Sequence, residues 1–204
     1  MAKKKLTAPD LSTEEKIKEA ARKVFTRKGY AATRTRDIAE EAGLNLSLLN
    51  YYYRSKEKLF TQVMLEKVQQ LFGILIPVLN DPSTKLETKI QLIVSNYIDI
   101  ISKNPDLPIF VLSELKGHAE QLKKVLPVDK IIPNASFIKQ LQEKRPDINT
   151  LHFLMNILGM TVFPFIAMPA FDVIGIIKKK DFEALIMERK KLIPLWVKAM
   201  LKAK

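Results

Sequence analysis

A chain of 204 residues that is 47% hydrophobic and 27% charged is long enough for one domain or two small ones, and it excludes a disordered or collagen-like polymer. It has no cysteine, which excludes disulfides and thiolate metal sites and suits a reducing cytoplasm. A formal charge of +12 makes an acidic partner, nucleic acid first, the natural expectation, although a solvated surface would show the same sign.

The charge is uneven. Residues 1–60 hold 14 of the 34 Lys+Arg but 8 of the 22 Asp+Glu, so the positive density is highest near the N-terminus. Residues 1–10 read as a mobile basic arm, and the absence of an apolar run after Lys5 argues against a signal peptide. Ser12-Thr-Glu-Glu15 has the capping-box pattern and opens a first helix with Ile17, Ala20, Ala21, Val24 and Phe25 on one face. Lys28-Gly29 is expected to end it. Thr33 or Thr35 is expected to cap a short second helix to about Glu41, followed by Gly43 at a sharp turn. Asn45 caps a third helix from Leu46 to about Tyr53.

Ser55 caps a fourth helix that Pro77 should stop, with an apolar stripe from Leu59 to Leu75. A turn at Asn80–Ser83 leads into a helix over Leu86–Lys103. Further helices are expected at Ile109–Leu126, broken near Gly117, and at Ala135–Lys144, with a connection at Pro127–Pro133. Asp147 should cap a long apolar helix to about Ala167, and Asp181 a last amphipathic one that Pro194 bends or interrupts. The uncharged run Phe153–Phe171 has the length of a short membrane span. Its Asn156, Pro164 and Pro169 favour a helix buried in a core or a subunit interface, and no membrane partner is expected. The fold class is therefore all-α.

Two short helices joined through Ala42-Gly43-Leu44-Asn45 fit a helix-turn-helix, whose second helix enters the major groove. Leu49 and Tyr53, four apart, share the inward face of the third helix. Ser47, Asn50 and Tyr51, with Leu48 and Tyr52, then face outward. Asn pairs with adenine, hydroxyls reach phosphates or base edges, and an apolar side chain touches a thymine methyl. Lys56, at the start of the fourth helix, is placed to hold a phosphate. Taken singly, a Tyr51-Tyr52-Tyr53 run also fits a packed core, and Lys56 a solvated helix start.

The stretch Phe25-Thr-Arg-Lys-Gly-Tyr-Ala-Ala-Thr33, then Arg36-Asp-Ile-Ala39, Ala42-Gly43 and Tyr51-Tyr-Tyr-Arg-Ser-Lys-Glu-Lys-Leu59 resembles the signature of TetR/AcrR transcriptional regulators over about a quarter of the chain. The resemblance implies a three-helix DNA-binding domain at 1–58 and a helical effector-binding and dimerisation domain at 59–204. It implies DNA contacts by Thr33, Arg34, Thr35 and Arg36 at the start of the second helix. It places Asn45, Leu46, Ser47, Leu48, Asn50, Tyr51 and Tyr52 on the recognition helix and makes Lys56 a phosphate-binding lysine. Tyr53, where the family usually has Phe, is expected in the core. Leu46, Ser47, Leu48 and Asn50 depart from the family's usual residues, so the reading face is more apolar than usual.

The C-terminal part is rich in Phe110, Phe137, Phe153, Met155, Met160, Phe163, Phe165, Met168 and Phe171, which either fill a core or line a pocket for an apolar or amphipathic effector. His118 and His152 lack ligand-spaced partners, and Asp99, Glu114 and Glu120 are scattered. No metal, no cofactor and no catalytic residue is expected, and the chain is not expected to be an enzyme. Helices at about 147–167 and 181–202 are expected to form a two-fold four-helix homodimer interface. The leading expectation is a cytoplasmic dimeric repressor released from a pseudo-palindromic operator by a small molecule. The alternatives are an activator, an effector-independent regulator, or a helical ligand- or partner-binding protein without specific DNA readout.

Overall fold

The computed structural model describes residues 12–117, 120, 123 and 132–203. The basic arm, His118 and most of the connection expected at 127–133 lie outside them. Among the described residues there are nine α-helices and no strands. They are α1 Thr13–Ala32, α2 Thr35–Ala42, α3 Leu46–Tyr52, α4 Lys56–Asn80, α5 Leu86–Lys103, α6 Leu107–Gly117, α7 Ser136–Lys144, α8 Thr150–Val173 and α9 Lys179–Lys202. The all-α expectation holds. Two compact units divide between Glu66 and Lys67, inside α4. The division falls beyond residue 58 because Leu59, Phe60, Val63 and Met64, in the first turns of α4, are buried core residues of the first unit.

In the first unit, Ser12 accepts from the Glu15 N–H at 3.2 Å and starts α1. Its inward residues Ile17, Ala20, Ala21, Val24 and Phe25 are all buried. Gly29 does take a positive φ of 73°, yet the helix resumes for one more turn to Ala32. Phe25, Tyr30 and Phe60 form an aromatic cluster, Phe25 edge-on to Phe60 at 5.0 Å and Tyr30 at 4.5 Å from Phe60. The packing that holds Tyr30 there accounts for the extra turn.

The second unit is a helical core of Leu71, Ile90, Val94, Ile98, Phe137, Leu141, Phe153, Ile157, Ile193 and Val197, among others. Pro77, expected to stop a helix, stands inside α4, and Pro194, expected to bend or interrupt one, stands inside α9; Pro164 and Pro169 stand inside α8. At Pro164 the reason is visible. A proline cannot donate to the carbonyl four residues back, here that of Met160. The Arg189 guanidinium donates to that carbonyl instead, through Nη2 at 2.8 Å and Nε at 3.3 Å. Asn149, not Asp147, caps α8, accepting from the Leu151 and His152 N–H groups at 2.9 and 3.3 Å. Asp147 is held instead by a bidentate pair with Arg145, at 2.7 and 2.5 Å. Likewise Lys178, not Asp181, is the N-cap residue of α9, and Asp181 lies in its first turn.

Helices α4 and α8 are long and apolar enough to cross a membrane. In the structure Leu71 and Leu75 of α4 and Phe153 and Ile157 of α8 are buried in the core of the second unit. Several large apolar side chains of α8 and α9 nevertheless stay open to solvent, including Leu151, Met155, Phe163, Met187 and Leu195.

Candidate nucleic-acid interface

Helices α2 and α3 are joined by one tight turn. Gly43 adopts φ 66°, ψ 29°, the left-handed region open to glycine at least cost. Its N–H donates to the Glu40 carbonyl at 3.1 Å, and that of Leu44 to Ala39 at 3.0 Å. This double bond pattern is a Schellman closure of α2. Asn45 then caps α3, its Oδ1 accepting from the Leu48 N–H at 2.7 Å. The start of α2 differs from expectation. Neither Thr33 nor Thr35 caps it; the Asp37 carboxylate reaches back to the Arg34 N–H at 2.9 Å. That bond, together with Lys28 at 3.1 Å, holds the Asp37 carboxyl below the usual carboxylate range.

The two faces of α3 separate cleanly. Leu49 and Tyr53 are buried, and the Tyr53 hydroxyl donates to Glu14 on α1 at 3.3 Å. Burial and the Glu14 charge push the Tyr53 pKa up, so the phenol stays protonated. On the opposite face Asn45, Ser47, Asn50, Tyr51 and Tyr52 are exposed, and Leu46 and Leu48 are half-buried. Tyr51 is 80% exposed, with its ring edge-on to Tyr52 at 5.4 Å. Two tyrosines on a seven-residue helix, with no core to serve, make this a contact surface rather than a packing one.

The residues at the start of α2 divide. Arg34 and Arg36 are exposed and Thr35 is half-buried. Thr33 is 2% exposed, and its hydroxyl donates inward to the Gly29 carbonyl at 2.6 Å. The Thr33 hydroxyl thus ties the last turn of α1 together. Lys56 is similarly engaged. Its ammonium donates to the carbonyls of Tyr30 and Thr33 at 2.9 and 3.0 Å and sits 4.2 Å from the Tyr30 ring centroid. Two of its three donors close the end of α1, leaving one for a phosphate. Arg54 and Lys58 are exposed cations on either side of it. They are additional candidates for phosphate contacts, and the Arg54-Ser-Lys56-Glu-Lys58 charge run was their only sequence signal.

No group of three or more His, Asp or Glu suited to a metal occurs among the described residues. Asp99 pairs with Lys190 at 2.7 Å. Described residues of the second unit line apolar cavities of about 210 and 260 Å³. Of the Phe and Met residues singled out from the sequence, only Phe137 lines either. Phe110 and Phe153 are core, whereas Met155 and Phe163 are exposed. The lining is mainly aliphatic.

An exposed polar-aromatic helix, set by a glycine turn behind a helix with two arginines at its start, defines a helix-turn-helix DNA-binding domain. Residues 17–63 match the family described as "Bacterial regulatory proteins, tetR family". The chain is similar to the probable HTH-type transcriptional regulator YttP of Bacillus subtilis, 26% identical and covering 76% of this chain and 78% of that protein. It is also similar to the HTH-type transcriptional repressor KstR2 of Mycolicibacterium smegmatis, 24% identical over 68% and 70% of the two chains. The solved structure of the fatty acid degradation regulator FadR from Bacillus halodurans shares the fold, with a TM-score of 0.59 at 20% identity over 91% of this chain and 96% of that one. Residues 17–63 thus form a TetR-type DNA-binding domain, and the chain resembles transcriptional regulators over more than two thirds of its length.

Proposed function

We propose that this regulator is a cytoplasmic repressor that binds a pseudo-palindromic operator as a homodimer and is released by a small apolar effector. The outward face of α3 carries the reading. In this reading Ser47, Asn50, Tyr51 and Tyr52 meet base edges and phosphates in the major groove, Asn45, Leu46 and Leu48 complete the contact, and Arg34, Thr35 and Arg36 grip the backbone. Lys56 contributes its remaining donor. Repression is favoured over activation by the likeness to KstR2, described as a repressor. A dimer is supported by the exposed Leu151, Met155 and Phe163 of α8 and Met187 and Leu195 of α9, more uncovered apolar surface than isolated side chains explain. Two heads one helical turn apart, about 34–36 Å, would meet successive major grooves. An effector is supported by the apolar cavities of the second unit, which would favour a conformation with weaker DNA affinity when filled.

A gel shift with the DNA flanking the chain's own gene tests the reading. Specific binding that Tyr51→Ala abolishes and Asn50→Ala re-targets supports it. Failure to select any DNA sequence, or a monomer by sedimentation at micromolar concentration, overturns it.

A further inference from the structure

The two cavities share three wall residues, Phe72 of α4, Tyr97 of α5 and Leu158 of α8. They are therefore neighbours on either side of one partition. The smaller cavity continues toward Phe137 on α7, the larger toward Leu112 and Leu115 on α6. Leu112 and Leu115 on α6 are each about half exposed, and the shared Leu158 on α8 nearly so, so the larger cavity opens to solvent between these helices. Side by side along α8, the two cavities match an elongated occupant better than a compact one.

The chemistry of the wall narrows the occupant further. Among the described residues, neither lining contains Asp, Glu, Lys, Arg or His. Lys89, fully buried in the same unit, does not line either space; its ammonium is turned to Ser136 at 3.1 Å and to the Leu79 carbonyl at 3.4 Å. An ionised carboxylate or ammonium drawn into such a space would lose its hydration with nothing to replace it. Apart from backbone groups, the Tyr97 hydroxyl is the only side-chain hydrogen-bonding group that the described residues bring to either lining. Burial alone pushes its pKa up to about 12, with no neighbouring charge or hydrogen bond contributing. It remains a neutral O–H that can donate to, or accept from, one uncharged oxygen.

We propose that the effector is an uncharged, unbranched aliphatic molecule with a single hydroxyl or carbonyl oxygen, its chain spanning both cavities past Phe72 and Leu158 and its oxygen on the Tyr97 hydroxyl. The proposal deepens the effector reading above and rests on it for its regulatory consequence, not for the binding itself.

The test is displacement of a neutral fluorescent hydrophobe from the purified full chain by dodecanol, dodecanoate and dodecyltrimethylammonium, all below micellar concentration. Dodecanol should bind at least about tenfold more tightly than either ion. From octanol to tetradecanol, affinity should rise about threefold per methylene until the cavities are full. Tyr97→Phe should weaken dodecanol about fivefold while leaving dodecane unchanged. Phe72→Trp thickens the partition and should spare octanol while weakening tetradecanol. Because Tyr97→Phe removes one atom, it keeps the test valid should Phe72→Trp fail to fold. Equal or tighter binding of dodecanoate, or no binding of any chain, overturns the proposal. A gel shift run in parallel separates the two claims. Dodecanol that binds without releasing the operator defeats the effector role but leaves the ligand class standing. Release by a charged ligand alone, with dodecanol inert, defeats the ligand class and leaves the effector role standing.

Discussion

The Lys56 ammonium donates to the Tyr30 carbonyl at 2.9 Å while lying 4.2 Å from the centre of the Tyr30 ring. One cation thus closes the end of α1 with both a hydrogen bond and a cation–π contact, next to the residues that open α2. Lys56→Met keeps the stem but leaves the Tyr30 and Thr33 carbonyls without this donor. It should lower unfolding free energy by about 1–2 kcal/mol. Arg36→Ala, on an exposed side chain, should leave stability within about 0.5 kcal/mol and reduce the salt slope of operator binding by about one. Urea unfolding and salt-titrated gel shifts on both variants check this. A Lys56→Met variant of unchanged stability would show that the capping contact contributes nothing.

Arg22 is the hub of a second clamp. It donates to Glu66 through Nη2 at 2.6 Å and Nε at 3.1 Å, to Glu15 at 3.0 and 3.1 Å, and to Glu19 at 2.9 Å. Lys18 adds a second cation, at 2.7 Å from Glu15 and 3.5 Å from Glu66. Removing the guanidinium leaves Glu15 and Glu66, both partly buried, facing each other with Lys18 alone between them. Arg22→Met should therefore destabilise the first unit by about 2 kcal/mol. Arg22→Lys should recover less than half, because one ammonium cannot reproduce the planar fork. Chemical unfolding of both variants decides it; full rescue by lysine would reduce the cluster to simple charge balance.

What the sequence made legible was local. Ser12, Asn45 and Ser55 accept from N–H groups three residues on, a geometry fixed by the chain itself. Gly43 needed only its missing Cβ, and Leu49 and Tyr53 only the helical period. The outward exposure of Asn50 and Tyr51 followed from the same period. What was not legible depends on partners far along the chain. Nothing near Lys56 signals that its head group would turn to Tyr30, 26 residues earlier. Nothing near Thr33 distinguishes a cap from a hydroxyl turned back to Gly29. The stop expected at Pro77 failed for a related reason: whether a proline ends a helix depends on what packs around it as well as on its missing N–H. The cavity lining, drawn from several helices of the second unit, has no sequence period at all.

The Pro164–Met160–Arg189 arrangement makes that dependence measurable. Arg189 donates twice to the Met160 carbonyl and carries its guanidinium 5.3 Å from the Trp196 ring centre. Burial draws its pKa down, although it stays charged. Arg189→Met strands the carbonyl and should destabilise by about 1–3 kcal/mol. Adding Pro164→Ala restores the backbone donor for Met160, so the double variant should recover most of the loss. A double-mutant cycle in urea reads the coupling. Strict additivity would mean that Arg189 acts through Trp196 packing and not through the orphaned carbonyl.

Between α4 and α5, the Asp81 carboxylate accepts from the Ser83 N–H at 2.9 Å, the Ser83 hydroxyl at 2.7 Å and the Thr84 hydroxyl. These bonds, Thr84 first and then Ser83, bring its pKa down from 3.8 to about 2. A carboxyl whose pKa is lower folded than unfolded contributes stability that is complete above the unfolded value and disappears as pH falls through the folded one. The contribution of Asp81 should thus be constant from neutral pH down to about 5, decline between about 4 and 2, and be absent below. Thermal unfolding of the parent and Asp81→Ala across that range measures it. The gap in Tm should be constant above pH 5 and should narrow on acidification, since the parent then loses what the variant already lacks. A gap that widens in acid, or that is equal at pH 7 and pH 2, would mean that the turn is held by its backbone geometry and not by the charged carboxylate.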